Sequence, residues 1–259
     1  MKYFIVDAFT EELFKGNTAG VCIMNEWPDD DVMQKIAFEN NISETAFVVK
    51  RNDCYDLRWF SPEVEIDLCG HATLASAFII NNFIDKNANS MRFETKSGPL
   101  AVNKTGELYE LDFPARKPKR IELTEEMNRA IGTSALEAHL SRDLILLLEN
   151  ERQVQDLAPD FDLVKKLPDC MGVAVTAKGD KVDFVSRFFV PGIGMPEDPV
   201  TGSVHSTLIP FWAERLGKED MVAMQLSKRG GTLLCKNCGD RVKFAGRAAL
   251  YLQGEIFID

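Results

Sequence analysis

A carboxylate placed where a polar turn gives way to an apolar strand is a candidate proton carrier. Glu44 holds that position in Asn40-Asn41-Ile42-Ser43-Glu44-Thr45-Ala46-Phe47-Val48. Loss of water around such an acid raises its pKa, so that near neutral pH it can both give and take a proton. An ordinary solvated acid would produce the same pattern. Two of the three histidines lie in glycine segments: His71 directly follows Gly70, and His205 follows Gly202-Ser203-Val204, whereas His139 sits in an Ala/Leu stretch. A helix that opens with glycine and small polar residues leaves its first N–H groups open, and those groups with the helix dipole bind anions. Two such starts meeting across one cleft would clamp a carboxylate or hold a developing enolate without a metal. His71, at its helix opening, is better placed for chemistry than His205, which reads more readily as a hydrogen-bonded structural residue. Gly16-Asn17-Thr18-Ala19-Gly20 is a third glycine-bearing turn, and a tight turn alone suffices to explain it.

These residues need elements to position them. Short runs rich in β-branched and aromatic residues predict strands over 4–9, 20–24, 46–50, 57–60, 143–148, 172–176 and 183–190. Helices are predicted over 29–40, with Val32, Met33, Ile36 and Ala37 on one face, and over 71–83 and 203–216. Strands outnumber helices, so the class is α+β. Asn103-Lys104-Thr105-Gly106 reads as a hairpin turn. Pro114 to Lys119 carries two prolines and no apolar period, and reads as a linker. The domain boundary falls there, giving domains of 1–113 and 114–247, with a final strand over 248–259 free to pack back on the first. The two sides echo each other. Trp59-Phe60-Ser61-Pro62 precedes Asp67-Leu68-Cys69-Gly70-His71, and Phe188-Phe189-Val190-Pro191 precedes Asp198-Pro199-Val200-Thr201-Gly202-Ser203. One strand-turn-helix unit is commonplace, but two suggest a duplicated, pseudo-twofold fold.

Composition narrows the function. A chain of 259 residues with 45% hydrophobic content and a net charge of -10 has no clustered cations for nucleic acid or an anionic membrane. No apolar run approaches the ~18 residues a membrane span needs, and the first residues read as a strand, not a secretory peptide. A cytoplasmic protein is expected. The six cysteines therefore read as reduced thiols. Cys235 and Cys238 have C-x-x-C spacing but no nearby partners to complete a zinc site, so no metal is expected.

Four ordered motifs carry a resemblance: Gly16-Asn17-Thr18-Ala19-Gly20-Val21; Asn41-Ile42-Ser43-Glu44-Thr45-Ala46-Phe47; Phe60-Ser61-Pro62 with Leu68-Cys69-Gly70-His71-Ala72-Thr73-Leu74-Ala75; and Glu197-Asp198-Pro199-Val200-Thr201-Gly202-Ser203-Val204-His205. The segments 208–218 and 226–231 extend it over essentially the whole chain. Together they resemble the PhzF family of phenazine biosynthesis-like isomerases. The resemblance implies a diaminopimelate epimerase-like fold of two domains, each a curved, mostly antiparallel sheet around a central helix, with the active site in the interdomain cleft. It also implies a homodimer, no cofactor and an anionic small-molecule substrate. Carried over by motif, the catalytic residues fall on Glu44, His71 and Asp198, and the substrate-binding residues on Asn17, Ser43, Gly70, Gly202 and Ser203.

Relatives of the same fold racemise or epimerise amino acids with two cysteines, one in each glycine motif. Cys69 occupies the first such place, and no thiol stands beside Gly202. Stereoinversion needs groups on both faces of the α-carbon. Cys69 therefore reads as a small buried residue, and proton shuttling by Glu44 as the chemistry. A racemase or epimerase using Cys69, and a non-catalytic binding or scaffold protein, stand as alternatives, because kinship of fold leaves function open.

Overall fold

The computed structural model describes residues 1–258, which form two compact units: Met1–Asp112 with the closing segment from Ala245, and Phe113–Phe244. Each has strands in excess of helices, as the apolar runs predict.

In the first unit, β1 (Lys2–Ala8), β2 (Asn17–Met24), α1 (Asp30–Asn40), β3 (Glu44–Lys50), β4 (Tyr55–Phe60), β5 (Glu65–Ile66), α2 (Gly70–Ile79), β6 (Ser90–Thr95), β7 (Gly98–Thr105) and β8 (Leu108–Pro114) follow in order. β1 pairs antiparallel with β2, and β2 pairs parallel with β3. β4 pairs antiparallel with β3 and β5 and parallel with β6. β6, β7 and β8 form an antiparallel meander. The last strand, Ala248–Glu255, pairs antiparallel with β1, and beyond it the Ile256 N–H donates to the Met1 carbonyl at 2.9 Å. α2 is buried along nearly its whole surface, at Gly70, His71, Ala72, Thr73, Leu74, Ala75, Ser76, Ala77 and Ile79. A helix without a polar face must lie inside its unit, and α2 packs against β1, β2, β3, β7 and the last strand. It continues into a π-helical turn, Ile80–Ile84, so the predicted helix over 71–83 is real but changes its winding at residue 80. α1 buries Met33, Ile36 and Ala37 beside Cys22, Met24, Phe47 and Val49 of β2 and β3.

The second unit contains β9 (Lys119–Ile121), α3 (Glu125–Ile131), β10 (Glu137–Leu140), β11 (Leu144–Leu147), α4 (Glu151–Gln155), α5 (Phe161–Val164), β12 (Val173–Lys178), β13 (Phe184–Val190), β14 (Met195–Asp198), α6 (Gly202–Leu216), β15 (Asp220–Gln225), β16 (Gly231–Asn237) and β17 (Arg241–Gly246). From β10 to β16 the pairings run antiparallel, parallel, antiparallel, antiparallel, parallel, antiparallel. That order repeats the one from β1 to β7, and α6 enters between β14 and β15 as α2 enters between β5 and β6. α6 is buried at Val204, His205, Leu208, Ile209, Phe211 and Trp212 among others; the Trp212 indole donates to Thr176 Oγ1 at 2.9 Å and stacks on Phe184.

One local expectation is corrected. The hairpin turn is not at 103–106. Asn103 and Lys104 pair with Glu110 and Tyr109, and the chain reverses at Gly106-Glu107, where Gly106 takes a φ of 59° that glycine adopts without strain. The units divide just before Pro114–Lys119, and that segment is irregular yet held by backbone hydrogen bonds. The Ala115 N–H donates to the Asp240 carbonyl and the Arg116 N–H to the Ser206 carbonyl, both at 2.9 Å. Pro210 explains the second bond: it lacks the N–H that would otherwise reach Ser206, so that carbonyl accepts from Arg116 instead. Among the described residues no helix is long and apolar enough to cross a membrane.

Candidate active site

Parallel pairing of β2 with β3 places the starts of both strands on one edge, with Ala19 opposite Glu44. α2 opens at that edge, and so Asn17, Glu44, Cys69 and His71 converge although they are far apart in sequence. The approach to Asn17 is held by the buried Asp7, whose carboxylate accepts from the Phe14 N–H at 2.9 Å and from Thr18 Oγ1 at 2.7 Å. Glu44 Oε2 lies 3.1 Å from His71 Nε2; the Glu44 side chain keeps 12% of its surface exposed and the His71 side chain 6%. On the other side of the ring, Nδ1 is 3.2 Å from Asn17 Nδ2 and 3.5 Å from Cys69 Sγ. A neutral imidazole accepts from Asn17 at Nδ1 and carries its proton on Nε2, towards Glu44; an imidazolium requires the carboxamide to present Oδ1 instead. Ser43 is half-buried beside Glu44, and Gly70 is buried at the start of α2.

Burial resists charge on His71, and the positive end of α2 acts in the same sense. The neighbouring Cys69 and Glu44 outweigh that resistance and hold the imidazole pKa well above its ordinary value. Burial also pushes the Cys69 thiol up, against the opposing pull of His71. The thiol therefore keeps its proton, and the raised imidazole presents Nε2 to the Glu44 side chain.

The second unit assembles a separate group. Asp198 ends β14, and its Oδ2 accepts from Thr201 Oγ1 at 2.6 Å. The Gln225 carboxamide locks the same turn: its Nε2 donates to the Asp198 carbonyl at 2.6 Å and its Oε1 accepts from the Thr201 N–H at 2.9 Å. Gly202 and Ser203 open α6 directly after this turn. Arg142 donates to Ser203 Oγ at 2.9 Å while forking onto the buried Asp143 carboxylate. Neither α2 nor α6 has a side-chain cap, whereas Thr124, Asn150 and Asp160 cap α3, α4 and α5. The two helices that open on glycine thus keep their first N–H groups available to an anion.

Asn17, Glu44, Gly70 and His71 are brought together in the first unit, and Asp198, Gly202 and Ser203 in the second. Arg142 was missed. Its only signal in the sequence is an Arg-Asp pair before an apolar strand, and nothing there points to a serine 61 residues away. His205 is fully buried; its Nδ1–H donates to the Thr201 carbonyl at 2.7 Å, and burial lowers its pKa to about 4, as suits a neutral structural residue.

The family model described as phenazine biosynthesis-like protein matches residues 6–254. An uncharacterized isomerase of Pseudomonas aeruginosa is 47% identical over 255 residues, 98% of each chain. The crystal structure of a phenazine biosynthesis protein of the PhzF family from Enterococcus faecalis superposes with a TM-score of 0.98 at 50% identity, covering 99% of both chains. A probable proline racemase from Agrobacterium radiobacter, at 9% identity and a TM-score of 0.65 over 100% of this chain and 93% of its own, shares the fold alone.

Proposed function

This chain belongs to the family of phenazine biosynthesis-like proteins, and from that premise we propose that it is a cofactor-independent isomerase that shifts a proton on a small carboxylate-bearing substrate, with Glu44 as the single acid/base. The isomerase class accords with its P. aeruginosa relative. The observation that carries the mechanism is the 3.1 Å approach of Glu44 Oε2 to the buried His71 Nε2. His71 fixes the carboxylate and compensates its charge, and Oε1 meets the substrate. Glu44 takes a proton from one carbon and returns it to another on the same face. Positioning one general acid/base in this way is worth roughly a hundredfold to ten-thousandfold. In the second unit, the open start of α6, with Ser203 fixed by Arg142, offers N–H groups to a carboxylate. Asp198, Gly202, Ser203 and, in the first unit, Asn17, Ser43 and Gly70 keep the relay and substrate-binding roles that the resemblance implies. A cytoplasmic homodimer acting on a free small molecule completes the proposal.

A two-thiol epimerase mechanism is disfavoured at two points. Thr201 stands directly before Gly202 as Cys69 stands before Gly70, and burial keeps the Cys69 thiol protonated. The test is turnover of a panel of unsaturated hydroxy- and amino-carboxylates in deuterated water, followed by proton NMR. Glu44→Gln should lower turnover by about a hundredfold or more while substrate still binds; full activity in that variant would refute the assignment.

A further inference from the structure

We propose that Arg142 and Ser203 form a recognition site for a single carboxylate in the second unit, in which Arg142 leaves the Ser203 hydroxyl as a donor and Arg116 supplies the balancing charge through its field. That this carboxylate is the substrate's rests on the function proposed above; the site itself stands on its own bonds and charges.

Arg142 is fixed by its neighbour. Its Nη2 and Nε lie 2.7 Å and 3.1 Å from Oδ2 of Asp143, whose side chain is almost wholly buried. A further Nη2 proton goes to Ser203 Oγ at 2.9 Å. A guanidinium has no acceptor to offer in return, so a hydroxyl that accepts from it must give its own proton elsewhere. Among the described residues nothing takes that proton from Ser203. The guanidinium is planar and its Nε side is occupied by Asp143, so the edge that meets Ser203 is the one that also carries an Nη1–H. The Ser203 O–H and the Arg142 Nη1–H are therefore neighbouring donors, and the Arg142 side chain keeps 29% of its surface open to a ligand. Gly202 and Ser203, without a side-chain cap, add backbone N–H groups.

Arg116 belongs to the same group. Its backbone N–H bonds the Ser206 carbonyl at 2.9 Å, which pins it to the opening turns of α6. Its Nη1 is buried with no hydrogen-bond partner. Burial, followed by the charge of Arg142, lowers its pKa, and Asp143 opposes both. Two guanidiniums thus share one carboxyl group, which burial itself pushes up. Even with Asp143 fully ionised, one positive charge is left over. A carboxylate balances that surplus, whereas a phosphate dianion exceeds it, and a flat pair of oxygens suits donors set side by side.

The experiment titrates the full chain with benzoate and follows the backbone amides of Gly202 and Ser203 by two-dimensional NMR. Saturable shifts of both are expected with benzoate and none with benzamide, its neutral counterpart. Arg142→Gln should weaken benzoate about tenfold or more, and Arg142→Lys should not restore it, because an ammonium cannot fork onto Asp143 and hold Ser203 as well. Arg116→Gln should weaken it about fivefold or more and Arg116→Lys should recover most of that, since only charge is asked of this residue. Lys117→Gln, which removes the exposed charge next along the chain, should stay within about twofold. The Arg116 variants decide the matter if Arg142 variants fail to fold. Equal shifts with benzamide, or wild-type affinity in Arg116→Gln, overturn the site; inorganic phosphate binding more tightly than benzoate overturns its assignment to a single carboxylate. If benzoate behaves as expected but Arg116→Gln leaves the KM of a turned-over panel compound unchanged, the site stands and its place in the proposed reaction falls. If Glu44→Gln abolishes turnover while benzoate leaves both amides unmoved, the proton shuttle stands and this site falls.

Discussion

His71 and His205 both lie in the opening turns of glycine-started helices and both are buried, yet their charge states diverge. His71 faces a carboxylate and is held well above its ordinary value of 6.5. The stabilisation from that pair is fully present below pH 6.5 and is lost as the pH rises through the folded-state value. His71→Gln should abolish this alkaline loss, read as the slope of unfolding free energy against pH above neutrality. His205 has the opposite sign. Its folded value is about 4, so the unfolded chain takes up the proton first, and stability drains as the pH falls from 6.5 towards 4. The full loss is roughly 3 kcal/mol, and His205→Gln should flatten that acid slope whatever it costs at neutral pH. The sequence makes this divergence only half legible. His71 follows Gly70 directly and could be singled out, but the 3.2 Å approach of Asn17 to its ring joins residues 54 apart, and no local pattern encodes it.

At the scale of elements, the strand and helix starts that deliver these side chains depend on particular glycines. At Gly16, φ is +65° and an added Cβ would lie 2.1 Å from the Ala8 carbonyl oxygen, which is backbone and cannot step aside. At Gly20 the same atom would meet Thr45 Oγ1 and Tyr3 Oη at 3.0 Å and Ile42 Cδ1 at 3.1 Å, all side-chain atoms that can give a little. Gly20→Ala should therefore cost about 1–3 kcal/mol in urea unfolding, and Gly16→Ala more. Gly20→Ala should also lower turnover, because Thr45 and Ile42 flank the Glu44 segment. The same elements show why sequence reading succeeded and failed. The apolar face of α1 and the small, apolar α2 announce themselves by period and composition. The hairpin turns at Gly106-Glu107 and not at 103–106: Asn103 and Lys104 look like turn residues, but the side chains of Tyr109 and Leu111 bury a strand that draws both into its ladder. Likewise Pro114 to Lys119 looks unstructured until Pro210 is seen to leave a carbonyl for Arg116.

For the whole molecule, the repeated pairing order of β1–β7 and β10–β16 is the main regularity, and only a faint echo of it is visible in the residues. Aromatic-x-Pro turns and glycine helix starts mark two points of the repeat. The parallel pairings β2–β3 and β13–β15 leave no local trace, because a parallel partner is set by the crossover and not by a turn. The last strand is the clearest departure from chain order, since it supplies one side of β1 from residues more than two hundred positions away. A chain ending at Arg247 would leave that side of β1 with bare N–H and C=O groups and uncover its apolar flank. It should elute as aggregate in size-exclusion chromatography and lose a cooperative unfolding transition; a monodisperse, cooperatively unfolding product would contradict the role given to this strand.

The bond from Ile256 to the Met1 carbonyl brings residues 1 and 256 side by side. A few glycines would bridge them, and fresh ends could be opened at the exposed Gly106-Glu107 tip. Such a rewired polypeptide should fold to the same architecture, because adjacency in space, and not the order in which the ribosome delivers the strands, is what closes β1 on both sides.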